Sequence, residues 1–130
     1  MKKFVSLLLV AMMLLTLSVL AEMKEFGVEL ERGVGTYAVE SARKDTATGA
    51  DATVNIKTKS NDIASMYYEV RKPDNVAATE YVNTKGTGSI SLEYFSTIVG
   101  RYGYTYKLRV AHRSQSQYSG KVTVTGEFIP

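Results

Sequence analysis

The chain has 130 residues, with 16 Lys and Arg against 13 Asp and Glu, one His and no Cys. The absence of cysteine excludes disulfides, a cysteine nucleophile and lipoprotein anchoring, and one histidine cannot assemble a zinc site of the His and Cys type. The length suffices for one domain with one core.

Residues 1–21 are predicted to be a secretory signal peptide. Lys2 and Lys3 precede an uncharged apolar run, and Val19 and Ala21 supply the small residues that signal peptidase needs. Cleavage after Ala21 removes two of the 16 basic residues, so the mature charge is nearly balanced and we expect no nucleic-acid partner. We expect a secreted protein of bacterial origin. A retained membrane anchor is the alternative for this segment.

Residues 22–32 form an acidic N-terminal segment with four glutamates. The apolar spacing fits a helical turn and a strand over residues 26–30 equally well. We expect either a mobile segment or an added edge strand. Its acidity would allow docking against the basic face of residues 101–113, described below, and a solvated tail is the alternative.

Residues 33–130 are predicted to form the folded domain from short alternating strands. The predicted strands are 36–40, 52–59, 63–71, 76–82, 89–95, 100–113 and 121–128, with a helix as the alternative for 76–82. The predicted inward residues include Val54, Ile56, Ala64, Met66, Tyr68, Val70, Val122, Val124 and Phe128. Pro73 predicts a type I turn at residues 72–75. The fold class is therefore all-β, an antiparallel two-sheet β-sandwich of about seven strands, either Ig-like or jelly-roll.

The strictest alternation occurs in residues 100–113. One side carries Tyr102, Tyr104, Tyr106, Leu108 and Val110, and the other carries Arg101, Thr105, Lys107, Arg109 and Arg113. The pattern predicts a strand whose tyrosines lie in the core and whose outer face is basic. A hairpin between this strand and residues 121–128 would add Lys121 to the basic face.

Charge and aromatic content indicate the residues that contact a partner. No Asp or Glu occurs between Tyr94 and Gly126. The candidate partner-binding residues are Arg101, Lys107, Arg109, Arg113, Lys121, Tyr67 and Tyr118. Such a face suits an anionic cell-wall polymer, a membrane surface or a protein partner, with affinity that falls as salt rises. The alternative is a solvated outer face. An edge strand would also allow self-association.

We expect no enzyme activity, no cofactor and no metal, because no catalytic or cofactor motif is present. His112 stands between Arg109 and Arg113 without a carboxylate to orient it as a general base. It is expected at a strand end, on the surface or at the core rim. A carboxylate pair of the glycosidase type stays open, since such pairs meet only in space.

Residues 104–110, the polar loop after them and residues 122–128 resemble the small secreted β-sandwich proteins of Gram-positive bacteria whose function is uncharacterised. The chain is more distantly similar to lactococcin-like bacteriocins, which are also exported, cysteine-free and all-β. It departs from them in having no Trp and one His. The resemblance implies the fold and secretion and no site residues.

Three functions follow as hypotheses. The first is a secreted, non-enzymatic interaction module that acts at the cell envelope or on a partner protein. The second is a bacteriocin-like antimicrobial protein, a hypothesis that the predicted export and the small size support. The third is a subunit of an extracellular fibre or matrix, in which the N-terminal segment adds to a neighbour's sheet.

Overall fold

The computed structural model describes residues 22–130, and the predicted signal peptide lies outside the described residues. Eight strands and no helix occur in this part of the chain. The strands are β1 (Lys24–Leu30), β2 (Gly35–Arg43), β3 (Ala52–Lys59), β4 (Met66–Arg71), β5 (Val82–Thr84), β6 (Gly88–Leu92), β7 (Thr105–His112) and β8 (Val122–Ile129).

The strands form two antiparallel sheets of four. The first sheet has the order β1-β8-β3-β6, and the second has the order β2-β7-β4-β5. Strand β1 pairs with β8, β2 with β7, β3 with β6 and β4 with β5. This is the order of a jelly roll, in which one long folded hairpin wraps into two sheets. The predicted β-sandwich is confirmed.

The acidic N-terminal segment supplies the eighth strand. Strand β1 lies at the edge of the first sheet, where Phe26 and Leu30 point into the core. The expectation of an added edge strand is thus correct. Docking on the basic face of residues 101–113 is wrong, because β1 and β7 belong to different sheets.

The core lies between the two sheets and is filled by the inward residues of each strand. All nine inward residues predicted within 52–59, 63–71 and 121–128 are buried, together with Leu108 and Val110 of β7. Burying one such aliphatic side chain stabilises the fold by ~1.5–3 kcal/mol. The alternation of these strands therefore reports their two faces correctly.

The predicted strand 100–113 begins five residues later than expected. Residues 101–104 form a turn in which Gly103 has a φ of 84°, and β7 starts at Thr105. Tyr102 and Tyr104 are consequently exposed, at 54% and 57%. The expectation of a core position is wrong for these two tyrosines and correct for Tyr106.

Residues 76–82 do not form the predicted strand. Ala78 N instead donates to Val70 O at 2.8 Å, and Phe95 N donates to Ala78 O at 3.0 Å. An isolated bridge also joins Thr79 to Tyr94. The segment therefore crosses the edge of the sandwich and ties β4 to the residues after β6.

His112 is the last residue of β7, as expected of a strand-end residue. Its exposure is 1%, so a surface position is wrong. The ring stacks on Tyr118, with 6.5 Å between the ring centroids. The stack closes one end of the core.

Tyr106 fastens the loop before β7 to the core. Its buried hydroxyl donates to Val99 O and accepts from Arg101 N, the latter at 2.9 Å. Its ring packs on Tyr94 with 5.1 Å between centroids. A tyrosine near the start of a strand whose hydroxyl bonds to upstream backbone is a known stabilising device of β-sandwiches.

Replacing Tyr106 by Ala should destabilise the fold by ~3–5 kcal/mol, because a buried aromatic ring is lost. Tyr106→Phe should cost about 1–3 kcal/mol through the unmade hydroxyl bonds. Tyr104→Ala is the control and should change stability by less than about 0.5 kcal/mol. Urea unfolding measures all three. Equal losses for Tyr104→Ala and Tyr106→Ala would contradict the position of β7.

Stability should fall at alkaline pH. Burial raises the pKa of Tyr68 and Tyr94 in the folded state, whereas an unfolded tyrosine releases its proton near pH ~10. The folded protein then binds more protons than the unfolded chain, so the free energy of unfolding decreases as pH rises above ~10. Urea unfolding between about pH 8 and about pH 11 measures this loss.

The control for the alkaline loss is Tyr68→Phe. Burial lowers the pKa of Lys44, which acts in the opposite sense, so only a matched comparison isolates the tyrosine. The Phe variant removes a buried hydroxyl that has no hydrogen-bond partner among residues 22–130. It should lose less stability than the parent above pH ~10. If the free energy of unfolding falls equally steeply with pH in the variant and the parent, Tyr68 does not cause the alkaline loss of stability.

Candidate partner-binding face

The outward residues of the second sheet form the candidate site. On β4 the inward positions of Met66, Tyr68 and Val70 leave Tyr67 and Glu69 facing outward. We call the whole set the outer face, and its residues are Tyr37, Tyr67, Glu69, Arg71, Lys107, Arg109 and Arg113. It is a sheet surface that spans β2, β7 and β4.

The carboxylate of Glu69 organises the centre of the outer face. Glu69 is only 8% exposed, and its Oε1 accepts from Arg71 Nε at 2.7 Å. Arg109 stands directly opposite on β7, with its Nη1 at 3.5 Å from the same oxygen. A buried carboxylate without partners costs several kcal/mol, and here two guanidiniums provide those partners.

Gly35 makes room for Arg109. A Cβ at this position of β2 would lie 2.6 Å from the Arg109 Nη2 atom and 3.1 Å from the Ala111 Cβ. The guanidinium therefore crosses the backbone of the neighbouring strand. The space left by the missing side chain of Gly35 allows Arg109 to lie against the sheet.

The other two cations of the outer face lie on aromatic rings. Lys107 Nζ is 4.9 Å from the ring centroid of Tyr37 and 3.8 Å from Glu40 Oε2. The Arg113 guanidinium carbon is 5.0 Å from the ring centroid of Tyr67. Each such contact contributes ~0.5–1 kcal/mol at an exposed site. The rings thus position the cations without neutralising them.

The charge of the outer face is net positive. Arg71, Lys107, Arg109 and Arg113 supply four cations, against the carboxylates of Glu69 and Glu40. Arg113 forms no ion pair with any residue in the range 22–130. The face can therefore attract anions.

The structure brings together four of the seven residues proposed from the sequence, namely Lys107, Arg109, Arg113 and Tyr67. Arg101 lies in the turn before β7, where its guanidinium is 5.7 Å from the Tyr104 ring centroid. The length of β7, at about 3.3 Å per residue, separates it from Arg113. Arg101 is thus not part of the outer face.

Lys121 and Tyr118 also lie elsewhere. The expected hairpin between β7 and β8 does not form, because these strands belong to different sheets. Lys121 lies on the first sheet, 3.7 Å from Glu29 and 3.9 Å from Glu31. Tyr118 is half-buried and packs against the core. Neither residue contributes to the basic face.

Three residues of the outer face were not predicted from the sequence, namely Tyr37, Glu69 and Arg71. The signal for Glu69 and Arg71 was present, because both alternate with the inward residues of β4. Their meeting with Arg109 depends on the register of β4 against β7, which no pattern in the sequence shows. Tyr37 joins them because β2 pairs with β7.

Within residues 22–130, no three His, Asp or Glu side chains come together as a metal site. The same part of the chain contains no helix with the length and apolarity to cross a membrane. The chain matches no family model and no curated protein. A functional conclusion therefore has to start from the outer face itself.

Replacing Glu69 by Gln should destabilise the fold by about 1.5–3 kcal/mol, because Arg71 loses the charged acceptor of its hydrogen bond and Arg109 loses its ion pair. Glu40→Gln is the matched control. Glu40 is exposed and 3.8 Å from its cation, so its loss should change stability by less than about 0.5 kcal/mol. Urea unfolding compares them, and equal effects would show that Glu69 does not organise the face.

Proposed function

We propose that the protein is a secreted, non-enzymatic interaction module that acts at the cell envelope by binding an anionic polymer through the outer face. The observation that carries the proposal is the placement of Lys107 and Arg113 on tyrosine rings beside the Glu69 centre. The rings hold both cations at the surface of the sheet, and Arg113 forms no ion pair among residues 22–130. Fixed cations lose little conformational entropy on binding.

The geometry favours a polymer over a single small anion. Neighbouring strands of a sheet lie about 4.8 Å apart. The cations of the outer face lie on two neighbouring strands, β7 and β4, and just after β7, so they are spread over the surface of the sheet. A chain with repeated phosphate or carboxylate groups can contact several of them at once. Guanidinium groups also match phosphate and carboxylate oxygens in pairs.

The tyrosines support the same proposal. Tyr67 packs on Tyr81 in a tilted arrangement with 4.6 Å between ring centroids, which extends the aromatic surface beyond the basic centre. Rings of this kind offer rigid contact area at low entropic cost. They suit the backbone of a polymer whose anionic groups meet the cations.

The other two hypotheses stay predictions. Growth inhibition of related bacteria by the purified protein tests the antimicrobial one. Size-exclusion chromatography over a wide concentration range tests the fibre subunit, which requires association.

Binding to purified cell-wall polyphosphodiester should weaken as salt rises, because the attraction is electrostatic. The double variant Lys107→Gln with Arg113→Gln should lose at least about tenfold in affinity, or ~1.4 kcal/mol. Neutral replacements are used because an added carboxylate would face Glu69. Co-sedimentation at low and high salt measures the loss.

The matched control is Arg101→Gln with Lys121→Gln, which removes the same charge away from the outer face. This variant should bind as the parent does, apart from a small loss of general attraction. Equal losses in the two double variants would show that net charge alone causes binding. Co-sedimentation of the protein with the polymer that does not change with salt would exclude the electrostatic mechanism.

A further inference from the structure

The free backbone edge of β6 is a second feature with no role in the outer face. Strand β6 is the last strand of the first sheet and pairs only with β3. Among residues 22–130, no backbone hydrogen bond joins residues 88–92 to any segment other than β3. One side of β6 therefore presents unpaired N–H and C=O groups.

The other three edge strands of the sandwich have features that disfavour pairing with another strand. Strand β1 carries Lys24, Glu25 and Glu29, β2 is interrupted by two register shifts, and β5 has only three residues. Charge, irregularity and shortness are the usual means by which proteins keep sheet edges from pairing. Strand β6 has five residues, with no charge and no proline. It is the edge that remains open to another strand.

A groove of about 390 Å³ runs beside β6, between the edges of the two sheets. Ser91 lines it on the β6 side, and Glu80 and Tyr81 line it on the side of the second sheet. Tyr81 and Phe95 are exposed at 59% and 55% although both are large aromatic residues. Two exposed rings beside an unpaired edge offer apolar contact to whatever pairs there.

The groove is acidic. Glu80 and Glu93 both line it and are exposed, and neither forms an ion pair with residues 22–130. This sign is opposite to that of the outer face. The complementary ligand is therefore basic, and the anionic polymer of the outer face is excluded from the groove by repulsion.

We propose that β6 accepts an extended peptide segment of a partner protein as a fifth strand of the first sheet. The segment alternates apolar and basic residues. Its backbone pairs with β6, its basic side chains meet Glu80 and Glu93, and an apolar side chain packs on Tyr81 and Phe95. In strand addition of this kind, the backbone bonds provide affinity and the side chains provide selectivity.

A second copy of the chain fits the edge less well. Pairing of two β6 strands would bring two further carboxylates, the second Glu80 and Glu93, to the same region. Like charges at a shared edge oppose association. A basic segment relieves the same repulsion that a second copy would increase.

The test uses two synthetic nine-residue peptides, one alternating valine and lysine and the other alternating valine and glutamate. Isothermal titration should detect binding of the lysine peptide alone. Hydrogen exchange should slow at those amides of residues 88–92 that do not bond to β3 when that peptide is bound, because they become hydrogen-bonded. The variant Glu80→Gln with Glu93→Gln should weaken binding at least tenfold, and Arg101→Gln with Lys121→Gln should leave it unchanged.

Four results would overturn the proposal. These are no binding of the lysine peptide, equal binding of both peptides, no effect of the two Gln replacements, and exchange that slows outside β6. A neutral oligosaccharide that binds the groove without slowing exchange in β6 would reassign it to a glycan. Protection of β6 that rises with protein concentration and without peptide would reassign it to self-association.

Discussion

The central position of β7 in the second sheet is the constraint on which both the core and the outer face depend. Strand β7 lies between β2 and β4, and Tyr106, Leu108 and Val110 are buried against the first sheet. Because side chains alternate along a strand, Lys107 and Arg109 have to face outward. A slip of one residue would bury both cations, so the packing of the core also fixes the register of the site.

Charge divides the molecule into two regions of opposite sign. The outer face is positive around the buried carboxylate of Glu69, and the groove beside β6 is negative through Glu80 and Glu93. Tyr81 connects them, since it packs on Tyr67 and also lines the groove. If both proposed ligands bind together, the protein joins an anionic polymer to a basic protein segment. Repulsion keeps each ligand out of the other's site.

The sequence allowed the faces of strands to be predicted better than their partners. The inward residues of β3, β4 and β8 follow from alternation alone, because burial on one side of a strand leaves a period of two. Pairing depends on contacts between distant residues, so the false β7–β8 hairpin misplaced Lys121. Tyr102 and Tyr104 continue the alternation through a turn, and nothing in the spacing reveals the positive φ of Gly103. Glu69 became a site residue only through its register with Arg109.

The order of the strands also governs how the chain reaches its fold. The inner strands β8 and β7 connect β1 to β3 and β2 to β4, and they are the last of the eight to be synthesised. The second sheet lacks its inner strand β7 until His112 is available, and the first sheet lacks β8 until Ile129 is available, so folding cannot proceed stepwise from the N-terminal side. Such non-local pairing makes folding slow, on a scale of about milliseconds to seconds. If the protein is secreted as proposed, a chain that still lacks its last two strands has no complete sheet, so it would meet the export machinery unfolded.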